Sequence, residues 1–208
     1  MVQELNRIKV EEKLKSMEIS VFTPREFAGI FKVPQNTAAK FISRNIKSGL
    51  FVKLRNNVYL IKDSHPSRYY VANKLYEPSY VSLETALSHY GIIPEVVYAM
   101  TSITTKASRE YQTPLGEFTY QRIKKQAYTG YQLQSVEGQK AFIADPEKAL
   151  ADYLYFVVLK KISLNDRLEL RDINRSKLTK YAALFNKKRI FALIKQIYVE
   201  YRKPRKIY

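Results

Sequence analysis

Thr37, Lys40, Ser43, Arg44 and Lys47 lie within the stretch TAAKFISRNIK, and helical spacing gathers them largely on one side. Ala38, Phe41, Ile42 and Ile46 fall on the other, at i, i+3, i+4 and i+8. The polar side is rich in hydrogen-bonding groups and carries no acid, which is the chemistry that grips phosphates and reads base edges in a duplex major groove. A solvated surface helix has the same pattern, so the flanking elements decide between the two. Other reactive side chains are sparse. Asp145, Glu147 and Asp152 cluster in sequence and could hold Mg²⁺. The simpler account makes Asp145 a helix cap, puts Glu147 in the first turn and pairs Asp152 with Lys148 four residues earlier. His65 falls in a polar connector and His89 in a helix, and the two do not have metal-ligand spacing. No glycine-rich loop fits a phosphate cradle. The expectation is therefore a binding protein and not an enzyme, with no catalytic residue, cofactor or metal ligand to assign.

The elements that must position the basic helix surround it. Residues 2–17 read as a first helix, with Leu5, Ile8, Leu14 and Met17 roughly on one stripe. Phe22-Thr23-Pro24-Arg25-Glu26 is a helix start. Thr23 caps, Pro24 suits the first helical position, Glu26 completes a capping box and Phe22 staples to Phe27. This second helix runs to about Phe31, where Lys32-Val33-Pro34 breaks it. Gln35 or Asn36 then caps the third helix, and Gly49 ends it as a left-handed cap. Leu50–Leu54 and Val58–Ile61 read as strands around Arg55-Asn56-Asn57, where asparagine tolerates the positive φ of a tight turn. Two helices, a turn between them and a basic hairpin make a winged helix-turn-helix over residues 1–68. Lys53 and Arg55 would reach phosphates or the minor groove.

The charge distribution agrees. The 208-residue chain has a formal net charge of +17, from 36 Lys and Arg against 19 Asp and Glu. Residues 1–70 carry 13 basic and 6 acidic side chains, residues 71–157 carry 8 and 9, and residues 158–208 carry 15 and 4. A neutral middle flanked by cationic ends points to a polyanionic partner, nucleic acid first among them. The 17 tyrosines could stack on bases, which keeps RNA binding open as a lesser alternative. Cysteine is absent, so there is no disulfide framework and no thiolate metal site, and a reducing cytosol fits. The N-terminal MVQELNRIKVEEK is charged throughout and is unlike a signal peptide. The apolar run Tyr153–Leu159 is too short to span a bilayer.

DSHPSR, residues 63–68, reads as a linker to a second domain over residues 69–208, with a short helix at Tyr69–Leu75. In SLETALSHYG, Ser82 caps a helix whose Leu83, Ala86, Leu87 and Tyr90 face inward and which Gly91 ends. Period-two patterning then predicts strands at Val97–Thr105, Phe118–Lys124, Tyr131–Val136 and Lys140–Ile143. Asp145-Pro146-Glu147 starts a helix reaching about Lys160, with Leu150, Leu154, Val157 and Val158 buried. From Leu164 onward the chain reads as helical, with Ile190, Leu193, Ile194, Ile197, Tyr198 and Tyr201 on one stripe and a basic tail at residues 202–206 that frays. The fold class is α+β: the winged domain, then a mixed domain with a small antiparallel sheet and C-terminal helices.

FTPREFAGIF, the basic helix and GLFVKLRNNVYLI, followed by SYVSLETALSHYGII and ADPEKALADYLYF, resemble the AbiEi family of antitoxins over about residues 22–157. The resemblance implies an antitoxin of a type IV toxin–antitoxin pair linked to abortive phage infection, with a nucleotidyltransferase-like toxin encoded next door. It also implies autorepression through promoter inverted repeats bound by the winged domain, with the C-terminal part neutralising the toxin. Carried onto this chain, the DNA-reading positions are Thr37, Lys40, Ser43, Arg44 and Lys47, with Lys53, Arg55 and Asn57 in the wing; Gln35 and Asn36 open the same helix. The family often has Arg-Gly at the wing tip, where this chain has Asn56-Asn57. A plain transcription regulator with a ligand- or partner-sensing second domain is the alternative.

Overall fold

A computed structural model describes residues 5–201 of the chain. Its first unit contains α1 (Arg7–Ser16), β1 (Val21–Phe22), α2 (Pro24–Phe31), α3 (Gln35–Lys47), β2 (Phe51–Arg55) and β3 (Val58–Ile61). The strands form an antiparallel sheet in the order β1-β3-β2. Local signals act as read at α2. The Thr23 hydroxyl accepts from the Glu26 N–H at 3.2 Å, the Glu26 carboxylate accepts from the Thr23 N–H at 2.8 Å, and the Phe22 and Phe27 rings meet at 5.6 Å. Gly49 takes φ +77, and the N–H groups of Gly49 and Leu50 close on the carbonyls of Ile46 and Asn45 in a paired C-terminal cap. Two expectations fail. Residue 34 is the cap position of α3, and neither Gln35 nor Asn36 caps, because Pro34 already sets the entry φ and both amides lie inside the helix. In α1 the buried residues are Val10 and Leu14, while Ile8 and Met17 are exposed, because only part of one α1 face meets the core. Residues 2–4 and 202–206, also read above, lie outside the described residues.

The small sheet buries both faces. Phe22, Phe51 and Ile61 pack under the three helices with Phe27, Phe31, Ala38 and Ile42. Val21, Leu54, Val58 and Leu60 point the other way into the core of the second unit. Strand register explains the division, since Val21 is opposite Leu60 and Phe22 opposite Tyr59, and successive residues face opposite sides. Residues 63–68 thus connect two bodies that share an apolar interface. That connector is itself docked: the Ser67 N–H donates to the Gln139 side chain at 2.7 Å, and the Arg68 guanidinium donates to the Tyr98 carbonyl.

The second unit has α4 (Arg68–Leu75), β4 (Ser79–Val81), α5 (Leu83–His89), β5 (Met100–Thr104), β6 (Arg109–Thr113), β7 (Gly116–Arg122), β8 (Tyr131–Val136), β9 (Gln139–Ala144), α6 (Pro146–Val158), α7 (Arg175–Ala183) and α8 (Lys188–Tyr201). Its sheet is neither small nor antiparallel. Six strands run in the order β6-β7-β5-β4-β9-β8, with β5/β7 and β4/β9 parallel. The enlargement comes from β4, only three residues long, and from β6, whose polar REYQT has no apolar alternation to announce it. Residues 164–174 are irregular, so only α7 and α8 realise the helical C-terminal part.

The two stretches that carry the family resemblance meet in the core. Lys148 and Asp152 of α6 form an ion pair with both side chains fully buried. The Tyr80 hydroxyl at 3.0 Å and the Ser82 hydroxyl at 2.8 Å donate to the same carboxylate oxygen of Asp152. Ser82 therefore does not cap α5 with its side chain. Lys148 lies over the Phe185 ring at 4.9 Å, and Tyr80 stacks on Tyr131 at 4.6 Å. Burial pushes the Asp152 carboxyl up and the Lys148 ammonium down, each opposed by attraction to the other. Removing one partner would strand the other in the core. Asp152→Ala is expected to cost about 3–5 kcal/mol, measured by chemical denaturation, far more than a surface carboxylate-to-alanine change.

Candidate nucleic-acid interface

The site starts with the inward side of α3. Ala38 and Ile42 are buried against α2 and the sheet, and Phe41 and Ile46 are half-buried beside them. Asn45 is buried as well, which spacing did not reveal: its amide donates to the Phe41 carbonyl at 2.9 Å, an intrahelical bond that makes burial tolerable. These anchors fix the rotation of the helix. Asn36, Lys40, Ser43, Arg44 and Lys47 consequently form one exposed stripe at i, i+4, i+7, i+8 and i+11. Gln35 is exposed beside Asn36 at the first turn, and Thr37 is half-buried at the margin.

No ion pair among the described residues involves Lys40, Arg44, Lys47 or Lys53. The first unit's pairs are Lys15–Glu11 at 2.7 Å on α1 and Lys74–Glu26 at 2.8 Å across to α4. The stripe is thus an uncompensated cationic surface, long enough to follow a phosphate backbone. Lys32 adds to it. It is exposed at φ +51 in the turn before α3, where its charge passed unnoticed because the residue read only as a helix breaker.

In the β2–β3 hairpin, Lys53 is exposed and Asn57 takes φ +62 at the exposed tip, as the turn requires. Arg55 is placed differently. Its Nε donates to the Leu75 carbonyl, its Nη1 to the Asn56 carbonyl at 2.8 Å, and its guanidinium lies 5.6 Å from the centre of the Tyr111 ring. It clamps the hairpin to the end of α4 and to β6, so its guanidinium is engaged within the protein. A second cationic surface lies on the C-terminal helices, where Arg175, Lys180, Lys187, Lys188, Arg189 and Lys195 are exposed.

The other titratable candidates lie away from α3. Asp145 occupies the cap position of α6 but does not cap with its side chain. Its carboxylate accepts from Gln132 at 2.9 Å and Tyr181 at 2.8 Å, and Lys177 bridges Asp145 and Glu147 at 3.1 Å each. His89 is exposed at the end of α5, beside the Tyr69 and Tyr90 rings, and His65 is exposed in the connector. Among the described residues no group of three or more His, Cys, Asp or Glu could hold a metal ion, and no helix is long and apolar enough to cross a membrane. No protein-family model matches the chain, and no curated protein matches it.

Two predictions concern the junction behind the interface. Arg55→Ala is expected to lower the melting temperature while leaving duplex affinity within about threefold, because the side chain serves packing and not phosphate contact. Glu26 links the α2 cap to Lys74. Burial alone would raise its pKa, but the Lys74 ammonium and the Thr23 N–H and hydroxyl outweigh this and hold the carboxyl below its usual range. Folding thus favours the ionised form. The contribution is complete above the unfolded carboxylate pKa and is lost as pH falls through the lowered value. The melting-temperature gap between wild type and Glu26→Gln should be open at pH 7 and close as pH drops below about 4.

Proposed function

We propose that this chain binds double-stranded DNA by laying α3 in the major groove, with the β2–β3 hairpin as the wing of a winged helix-turn-helix. The observation that carries the reading is the exposed stripe Asn36, Lys40, Ser43, Arg44 and Lys47, free of acids and of intramolecular ion partners among the described residues. Arginine and lysine there suit guanine edges and phosphates, and asparagine suits adenine. Lys53 and Asn57 extend the contact from the hairpin.

In the fuller reading the protein is a cytosolic antitoxin of a type IV pair that represses its own promoter and neutralises a nucleotidyltransferase-like toxin. The resemblance in SYVSLETALSHYGII and ADPEKALADYLYF supports it. The resembling residues Tyr80, Ser82, Lys148 and Asp152 form the buried network of the second unit, so the likeness speaks to the framework, and any toxin contact falls to residues outside it.

Gel-shift titration tests the DNA half. The log–log slope of affinity against salt is expected at roughly −4 to −7, and Arg44→Ala should cost roughly 1–3 kcal/mol on the promoter but much less on random duplex. Equal losses on both would reduce Arg44 to a phosphate contact. Growth on co-expression with the neighbouring gene tests the antitoxin half. Rescue from a toxic nucleotidyltransferase-like product supports it, whereas a harmless neighbour leaves a regulator whose second unit senses something else.

A further inference from the structure

The six-stranded sheet has two edges, and they are treated differently. At one end β6 carries Arg109 and Glu110, and its Tyr111 lies beneath Arg55 of the first unit, so charge and a covering side chain guard that edge. At the other end β8 pairs, among the described residues, only with β9, and Tyr131–Val136, YQLQSV, holds no charge at all in a chain of net charge +17. Leu133 is 54% exposed and lies opposite Phe142, itself 42% exposed, so the strand presents an apolar pair to solvent. A long, uncharged edge with exposed apolar side chains is the kind that soluble proteins normally guard.

Register decides what fits it. The two-residue turn Glu137-Gly138, both at positive φ, makes Val136 and Gln139 the first hydrogen-bonded pair of the hairpin. Alternation along an antiparallel ladder then turns the N–H and C=O groups of Gln132, Gln134 and Val136 toward β9 and those of Tyr131, Leu133 and Ser135 outward. The Gln132 and Gln134 side chains are held on the opposite face by Asp145 at 2.9 Å and the Tyr90 hydroxyl at 2.7 Å.

We propose that β8 is the docking edge for a second copy of this chain, two β8 strands pairing antiparallel about Leu133. In that register Leu133 faces its own counterpart and Tyr131 faces Ser135 in both directions. All six outward backbone groups of each strand are then satisfied. Two leucines and two phenylalanines join into one apolar strip on a shared face. No charge opposes another within the paired strands, whereas the cationic surfaces of α3, α7 and α8 would repel a second copy of the same chain. The association is isologous and closes as a twofold dimer.

Sedimentation velocity across a concentration series, together with a cysteine reporter, tests the proposal. Leu133→Lys places a charge on the edge, and Ser135→Pro removes an outward N–H that the intramolecular ladder does not use. Wild type is expected to shift from monomer to dimer with concentration, and both variants to stay monomeric with melting temperatures near wild type. Because the chain has no cysteine, Leu133→Cys introduces a single thiol. Its twofold mate would lie about 5.5 Å away between Cα atoms, within disulfide reach, so mild oxidation should give a covalent dimer that Lys195→Cys does not form. A wild-type monomer up to about 100 µM, dimers of undiminished strength in both edge variants, or equal cross-linking of the two cysteines would overturn the pairing. The readouts use no DNA and no toxin, so their outcome is independent of the function proposed above.

Discussion

The requirement that a three-stranded sheet bury both of its faces shapes this molecule. Phe22, Phe51 and Ile61 need helices on one side, while Val21, Leu54, Val58 and Leu60 need a second body on the other. A sheet this small, covered on one side only, would leave a row of large apolar side chains in water, at about 25 cal/mol for each Å² exposed. The helices and the second unit are therefore held to opposite sides of one thin layer. α3 packs on the helical side of that layer through Ala38 and Ile42.

The second unit meets the same demand for a fixed arrangement with polar chemistry. The buried Lys148–Asp152 pair, with Tyr80 and Ser82 donating to the carboxylate, joins α6 to β4 and to the start of α5. Such a network is a poor source of net stability, since desolvating two ions roughly offsets their attraction. Its effect is geometric: it ties α6 to Tyr80 and Ser82 through one carboxylate. Around it Tyr80, Tyr128 and Tyr131 form a contiguous aromatic group.

Arg55 shows how the same packing reassigns charge. A turn arginine beside a basic helix invites a phosphate contact, yet the nearness of the α4 carbonyl end and of Tyr111 gives its guanidinium three partners within the protein. Lys53, two residues away, is exposed to solvent. The irregularity in the β2–β3 register between Lys53 and Arg55 thus separates a side chain left in solvent from one held at the junction.

The amino-acid sequence by itself determined the parts whose physics is local. The capping box of Thr23 and Glu26, the Pro34 break, the Gly49 cap and the period of Ala38, Ile42 and their neighbours depend on residues within about a helical turn or two, and each appears where the spacing put it. The polar stripe of α3 followed from the same periodicity. Tertiary structure alone decided what depends on residues distant in the chain. The three-residue β4 and the polar β6 are strands because neighbours take up their backbone groups, and the parallel pairings β4/β9 and β5/β7 have no local signature. Lys148 and Asp152 read as an ordinary i, i+4 pair, and their complete burial, with Tyr80 and Ser82 some seventy residues earlier in the chain donating to the carboxylate, came from the fold. Short-range torsional and capping energies are written in adjacent residues, whereas burial and strand pairing are properties of what the fold brings alongside.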